Sequence, residues 1–239
     1  MRAVVGAIFY PLRTGCSWRY LLKDFPPWQT IYYHFRRFRL DGTWHYILTA
    51  LRMAERRRVG KEPQPSAAIR DAQSVKTVEE SASISGYDNY KRVKGRKRGR
   101  PPSSILVDTL GLPILISATS AATQDKVGAN RLFAGLKPLV PRLAKIWADG
   151  AYTGKKLARW CKRHSGWDLE TVGHDPEAAG FAVQPRRWVV EPGALWAEFT
   201  WLVRNRHLRV DYERKVQTSE TLIEVATIRL LLRRLASGA

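Results

Sequence analysis

Apolar positions recur at helical spacing through the first quarter of the chain. After Pro26 and Pro27, the residues Ile31, Tyr32, Phe35 and Phe38 fall three and four apart. That spacing predicts a helix opening at Trp28, where the missing proline N–H groups cost nothing. Asp41-Gly42 ends it, and a second helix is predicted over 44–58. Residues 59–65 (VGKEPQP) break the pattern with Gly, Pro and charge, as a linker does. Beyond them the period shortens. Strands are predicted at 67–76, 105–108, 112–118, 143–148 and 168–172, with the second and third joined as a hairpin at Gly111 and Pro113. Helices are expected at 125–137, 153–164, 186–206 and 219–235. The last carries Leu222, Ala226 and Leu230 on one stripe, with Arg229, Arg233 and Arg234 off it.

Three strands followed by helix, strand, helix, strand and helix form an α/β pattern with an antiparallel start and a parallel continuation. Ribonuclease H-like domains have this order, and order alone also allows other mixed α/β folds. Charge narrows the choice of partner. The 239 residues hold 41 Lys and Arg against 21 Asp and Glu, a formal net charge of +20. A hydrophobic fraction of 44% with nine Trp is enough to build a core, so the chain is not a disordered basic tail. A folded protein this far from neutrality fits a polyanion, nucleic acid first and an anionic membrane surface second. With Cys16 and Cys161 alone, the chain has no disulfide framework and no paired zinc spacing, which points to a reducing cytoplasm. The apolar start lacks a small-residue cleavage site, and Arg13 spoils a lipoprotein box. The longest apolar run, 105–118, is interrupted by Asp108, Gly111 and Pro113 and is too short to span a bilayer.

Phosphodiester chemistry with two divalent ions needs carboxylates converging on one spot, because hard cations take oxygen ligands. Asp71 lies inside the predicted first strand and Asp149 just past the apolar strand LAKIWA. Acids so placed, one in the first strand and one at the end of its parallel neighbour, can face each other. Glu191, in RRWVVE, stands as a third ligand from a helix. Each has a plain alternative: Asp71 a strand-edge acid, Asp149 half of an Asp-Gly turn, Glu191 a solvated glutamate. Asp108, after three apolar strand residues, suits a strand-end turn, with metal ligation as its alternative. Two basic features suit phosphate contact: Arg36, Arg37 and Arg39 on the first predicted helix, and the run Lys91, Arg92, Lys94, Arg96, Lys97, Arg98 and Arg100, which reads as a loop.

The wording of these segments carries more. RTGCSWRYLLKDFPPWQTIYYHFRRFRLDGTW, AQSVKT after Asp71, KRVKGRKR, ILVDTLGL, IWADGAY, QPRRWVVE and TWLVRNRHLRVDYE resemble, in order and over nearly the whole chain, the bacterial insertion-sequence transposases of the DDE class, specifically the insertion-sequence-five family. The resemblance implies a ribonuclease H-like catalytic domain, a mixed five-stranded sheet with helices, over 66–239. It implies a small helical, helix-turn-helix-like DNA-binding region over 1–58 that begins inside the family's N-terminal domain, with 59–65 as the linker. It also implies Asp71, Asp149 and Glu191 as metal ligands and catalytic residues, and Arg187 as the signature arginine four residues before the glutamate. Two Mg²⁺ or Mn²⁺ ions would serve nicking and strand transfer at the terminal inverted repeats, in the cytoplasm, on double-stranded DNA and by a homodimer on paired ends.

Four departures qualify the match. The family's N-terminal domain extends further. Arg70 replaces an apolar residue beside the first Asp, where it either snorkels or pairs with Asp71 in competition with metal. GRPPSS is an insertion after the basic run. PGALW intervenes after Glu191, where Pro192-Gly193 restarts the helix. Counted forward, the third acid is Glu191; counted back from Trp201 its place falls on Trp196; Glu198 is the alternative. A DNA-binding remnant without cleavage activity is the second functional reading, and a membrane-surface protein a third.

Overall fold

The computed structural model describes residues 1–71, 73–76, 86–88, 93–98, 105–116, 118–120, 136–149, 155–172, 202 and 204–238. Three helices come first. α1 (Arg2–Thr14) buries Val4, Ala7, Ile8, Pro11 and Leu12, a helical stripe in the segment that sequence alone could mistake for a leader. α2 (Trp28–Leu40) opens and closes where the Pro-Pro and Asp-Gly pairs predicted. Its stripe is narrower than expected: Ile31 and Phe35 are buried, while Tyr32 is exposed at the rim and packs edge-on against Trp18. Between α2 and α3 (Thr43–Arg58), Gly42 takes φ 77°, a left-handed turn that glycine enters without a Cβ penalty. Asp41 Oδ1 accepts from the Thr43 N–H at 3.0 Å and its hydroxyl at 2.6 Å, and these bonds hold the Asp41 carboxyl below its usual value.

Five strands form the main sheet: β1 (Ala67–Asp71), β5 (Ile105–Asp108), β6 (Pro113–Ile116), β8 (Lys145–Asp149) and β9 (Asp168–Val172). Their spatial order is β6-β5-β1-β8-β9, with β6, β5 and β1 successively antiparallel and β1, β8 and β9 successively parallel. This is the mixed five-stranded sheet expected of a ribonuclease H-like domain. Ala68, Leu106, Ile114 and Ile146 face a core with Leu136 of the short α4 (Leu136–Leu139) and Cys161 of α5 (Lys155–Ser165). Ile69, Ile105, Val107 and Ile116 share the opposite core with α1, α2, α3 and α6 (Val216–Ser237). Alternate positions of β1, β5 and β8 thus feed two helical layers, and a register irregularity in β6 puts Ile114 and Ile116 in different cores.

α6 packs through its predicted stripe and over a wider arc. Thr218, Ser219, Thr221, Leu222, Ile223, Val225, Ala226, Thr227, Ile228 and Leu231 are buried, while Gln217, Glu220 and Glu224 leave a polar edge along its first half. Arg229, Arg233 and Arg234 lie in its second half, half-buried or exposed. A second sheet was not foreseen. Residues 67–76 make two strands, β1 and β2 (Gln73–Lys76), and β2 pairs antiparallel with β4 (Val93–Arg98). β3 (Gly86–Asp88) and β7 (Ala118–Ser120) pair successively along the other edge of β4. Lys94, Arg96, Lys97 and Arg98, read as loop, therefore lie in a central strand.

Arg70 does not reach solvent, and its expected pairing with Asp71 involves a side chain outside those described. It is fully buried, and strand alternation sets it with Ala68 on the α5 side, whereas Asp71 shares the parity of Ile69. Its guanidinium acts on Cys161, whose buried thiol is pushed up to about 11 by desolvation, against the pull of Arg70.

The joint between the helices and the sheet is ionic and dry. Arg56 Nη1 donates to Asp108 Oδ2 at 2.6 Å, with both side chains buried. Asp108 Oδ1 accepts the N–H groups of Leu110 and Leu112 at 2.9 Å each. Asp108 is thus the strand-end turn residue, and its carboxylate is occupied by protein donors rather than open to metal. One helical turn earlier, Arg52 Nη1 donates to the Pro113 carbonyl at 3.0 Å, and burial lowers this guanidinium to about 10 despite Asp108.

Two outcomes follow. Asp108→Ala leaves Arg56 buried and uncompensated and should cost about 3–5 kcal/mol in denaturant unfolding, whereas Arg56→Met with Asp108→Asn should recover most of that loss. A midpoint for Asp108→Ala within about 1 kcal/mol of wild type would contradict the assignment. At pH 8 Cys161 should resist iodoacetamide in the native chain and react once urea unfolds it, as read by peptide mass mapping; native labelling of Cys161 would place that thiol elsewhere.

Candidate active site

β1 and β8 run parallel in a register that pairs Ala67 with Lys145, Ala68 with Ile146, Ile69 with Trp147 and Arg70 with Ala148. The offset is constant, 145 − 67 = 78, and 149 − 71 is also 78. Asp71 and Asp149 are therefore level with one another at the carboxyl ends of adjacent parallel strands, whose axes lie about 4.8 Å apart. Each is anchored by its outer neighbour as well, Asp71 opposite Ile105 on β5 and Asp149 opposite Val172 on β9. Carboxyl ends of parallel strands are where open α/β sheets place ligands. At the level of the backbone, the register brings two aspartates to one sheet edge, and carboxylate oxygen is the donor type that hard divalent cations take.

Acids elsewhere on or beside these strands are engaged. Glu170 stands opposite Trp147, one same-face step back from Asp149. Its Oε2 receives Lys145 Nζ at 2.6 Å and Trp147 Nε1 at 3.3 Å, and Lys145 also lies 5.5 Å from the Trp147 ring centroid. Glu62 is bound by Arg142 at 2.8 Å and Asp168 by Lys162 at 2.7 Å. Among the described residues, no group of three His, Cys, Asp or Glu side chains could hold a metal ion. Glu191, its alternative Glu198, the PGALW segment and Arg187 lie outside the described residues.

The basic candidates divide by environment. On α2, Tyr33, Arg36, Arg37 and Leu40 are exposed on one face and, with Asp41, line a surface cleft of about 440 Å³. Arg39 belongs to the half-buried flank instead. Tyr33 is 57% exposed, an aromatic ring beside two guanidiniums. Lys94, Arg96, Lys97 and Arg98 sit on β4, while Lys91, Arg92 and Arg100 lie outside the described residues. The arginines at the end of α3 do not add to such a surface as a block. Arg52 and Arg56 are internal, and Arg58 is bound to Glu55 at 2.7 and 2.9 Å, which holds the Glu55 carboxyl below its usual value.

Comparison with known families agrees with this geometry. Residues 1–48 match the family model of transposases of the IS4/5 family, and residues 62–231 match the model of the transposase DDE domain. No curated protein matches the chain. No helix among the described residues is long and apolar enough to cross a membrane. The second match alone takes in 170 of 239 residues (231 − 62 + 1), including both strands that carry the level aspartates and the helix α5 behind them. The chain belongs to the DDE-domain transposase family.

Proposed function

We propose that Asp71, Asp149 and Glu191 hold two divalent cations, Mg²⁺ or Mn²⁺, for cleavage and rejoining of DNA at the ends of an insertion sequence. The observation that carries this reading is the common offset of 78 that sets Asp71 level with Asp149. Cations bound there supply a Lewis acid for the attacking and leaving oxygens of an in-line displacement. The chain's own part is positional. The parallel ladder keeps Asp71 and Asp149 level on adjacent strands.

In the first displacement a water oxygen attacks phosphorus at the element end and the 3′-oxygen leaves with a proton as a hydroxyl. In the second, that hydroxyl attacks a target phosphodiester, whose own 3′-oxygen leaves, so one phosphodiester bond forms for each one broken. Arg187, four residues before Glu191, supplies a guanidinium for the non-bridging oxygens. Residues 1–58, with Arg36, Arg37 and Arg39, form the DNA-binding region that grips the terminal inverted repeats, and 59–65 link it to a catalytic region over 66–239. Lys91, Arg92, Lys94, Arg96, Lys97, Arg98 and Arg100 hold backbone phosphates near the carboxylates. Two copies act on paired ends, in the bacterial cytoplasm.

Supercoiled plasmid carrying the inverted repeats that flank the gene should be nicked by the full chain with Mg²⁺ or Mn²⁺. Asp71→Asn and Asp149→Asn should abolish nicking while binding persists. Wild-type protein that binds the ends and never cleaves them would sink the catalytic reading in favour of a DNA-binding remnant. For the interface, Arg36→Gln with Arg37→Gln should lower the slope of log K against log salt by about 2, one contact for each charge; an unaltered slope would remove α2 from the DNA surface.

A further inference from the structure

The two ends of the chain meet at a surface that neither announces alone. The turn at Arg206–Leu208 packs on α1, and α1 packs on α6. Leu12, Leu208 and Ile228 share the core beneath. Arg13, in the last turn of α1, donates from Nη1 to the Arg204 carbonyl. Gly15 ends that helix at φ 79°, and a Cβ placed there would come within 3.2 Å of Arg206 Cβ, so the 204–206 segment lies directly against the end of α1. Arg13, Arg204 and Arg206 are exposed. Across α1, Arg229 and Arg233 stand one turn apart on α6, half-buried and exposed in turn.

Five guanidiniums from three separate stretches are thereby gathered on one surface. Like charges one turn apart on a helix oppose folding by a few tenths of a kcal/mol per pair. Desolvation, then Arg233 and Arg13, draw the Arg229 guanidinium below its ordinary value. Among the described residues, Asp211 is bonded to Ser219, Glu213 to His207 and Glu224 to His45. Such a grouping is relieved by an external polyanion. Arginine is the side chain whose planar fork matches phosphate oxygens.

We infer that Arg13, Arg204, Arg206, Arg229 and Arg233 form a phosphate-contact surface for the backbone of duplex DNA, distinct from α2 and from the β4 run. The inference rests on DNA as the partner and is independent of the metal chemistry. Built from backbone contacts, the surface adds affinity without reading sequence.

The test uses the full chain in EDTA with a random-sequence duplex, followed by fluorescence anisotropy over a salt series. Arg206→Gln with Arg229→Gln and Arg233→Gln should lower the log K against log salt slope by about 2 to 3, and the three corresponding Lys substitutions should keep the wild-type slope. The exposed pair alone, Arg206→Gln with Arg233→Gln, disturbs no half-buried side chain and should still lower it by about 2. An unchanged slope in that pair overturns the proposal, as does loss of binding to phosphatidylserine vesicles with DNA binding intact. Failure of nicking with the slope loss preserved would overturn the catalytic reading and leave this one standing.

Discussion

One carboxylate joins the helices at the start of the chain to the sheet. Asp108 closes the β5–β6 turn through two backbone N–H groups and receives Arg56 from α3 in the same dry pocket. Arg56 also donates through Nε to the Glu62 carbonyl at 2.7 Å, so one guanidinium sets the course of the chain from α3 toward β1. Asp108 is in turn the β5 partner of Ala68 on β1. Helix, connecting segment and first strand are therefore held from a single point. Taking both charges out of water is costly, and the pair is supported here by three short bonds to Asp108, from Arg56, Leu110 and Leu112. The consequence for the sheet is indirect. β1 carries Asp71, and Asp71 is level with Asp149 only while β1 keeps its register with β8.

Scarce acid in a strongly basic chain makes each carboxylate informative. Glu55, Glu62, Asp108, Asp168 and Glu170 all have basic partners. Asp108 and Glu55 neutralise arginines where the fold packs, while the Glu62 and Asp168 pairs lie at the surface. The two aspartates at the sheet's carboxyl end stand apart from this pattern by position, on adjacent strands at one level. Both lie within the stretch that matches the transposase DDE domain.

The surplus charge is not one reservoir. Arg52 and Arg56 are structural and buried, Arg58 is tied to Glu55, and Arg70 lies within the α5 side of the sheet. Of the exposed remainder among the described residues, Arg36 and Arg37 stand together on the α2 face and Arg13, Arg204, Arg206 and Arg233 where α1 meets the 204–206 segment and α6. A basic protein that spread its charge evenly would hold DNA in no defined orientation. Separated groups on rigid elements constrain how a duplex can lie, since backbone contacts position even though they do not specify sequence.

Local chemistry made much of this legible. Pro26-Pro27 and Asp41-Gly42 bounded α2 because proline and glycine restrict or free the backbone within a residue or two. The apolar runs marked all five strands of the main sheet, and Asp71 and Asp149 could be singled out as acids at strand ends. Local pattern failed where contacts are distant. β4 is composed of Lys, Arg, Gly and one Val, residues that mostly disfavour strands, and forms because β2, β3 and β7 offer it edges. Burial of Arg70, Arg52 and Arg56 was equally hidden, because a guanidinium enters a core only where partners from other elements await it. By itself the sequence determined the family, the element order and which acids could matter. Only the tertiary structure decided the 78-residue register that sets two of them side by side and the gathering of arginines from both chain ends, because strand pairing and helix packing depend on residues far apart in the chain.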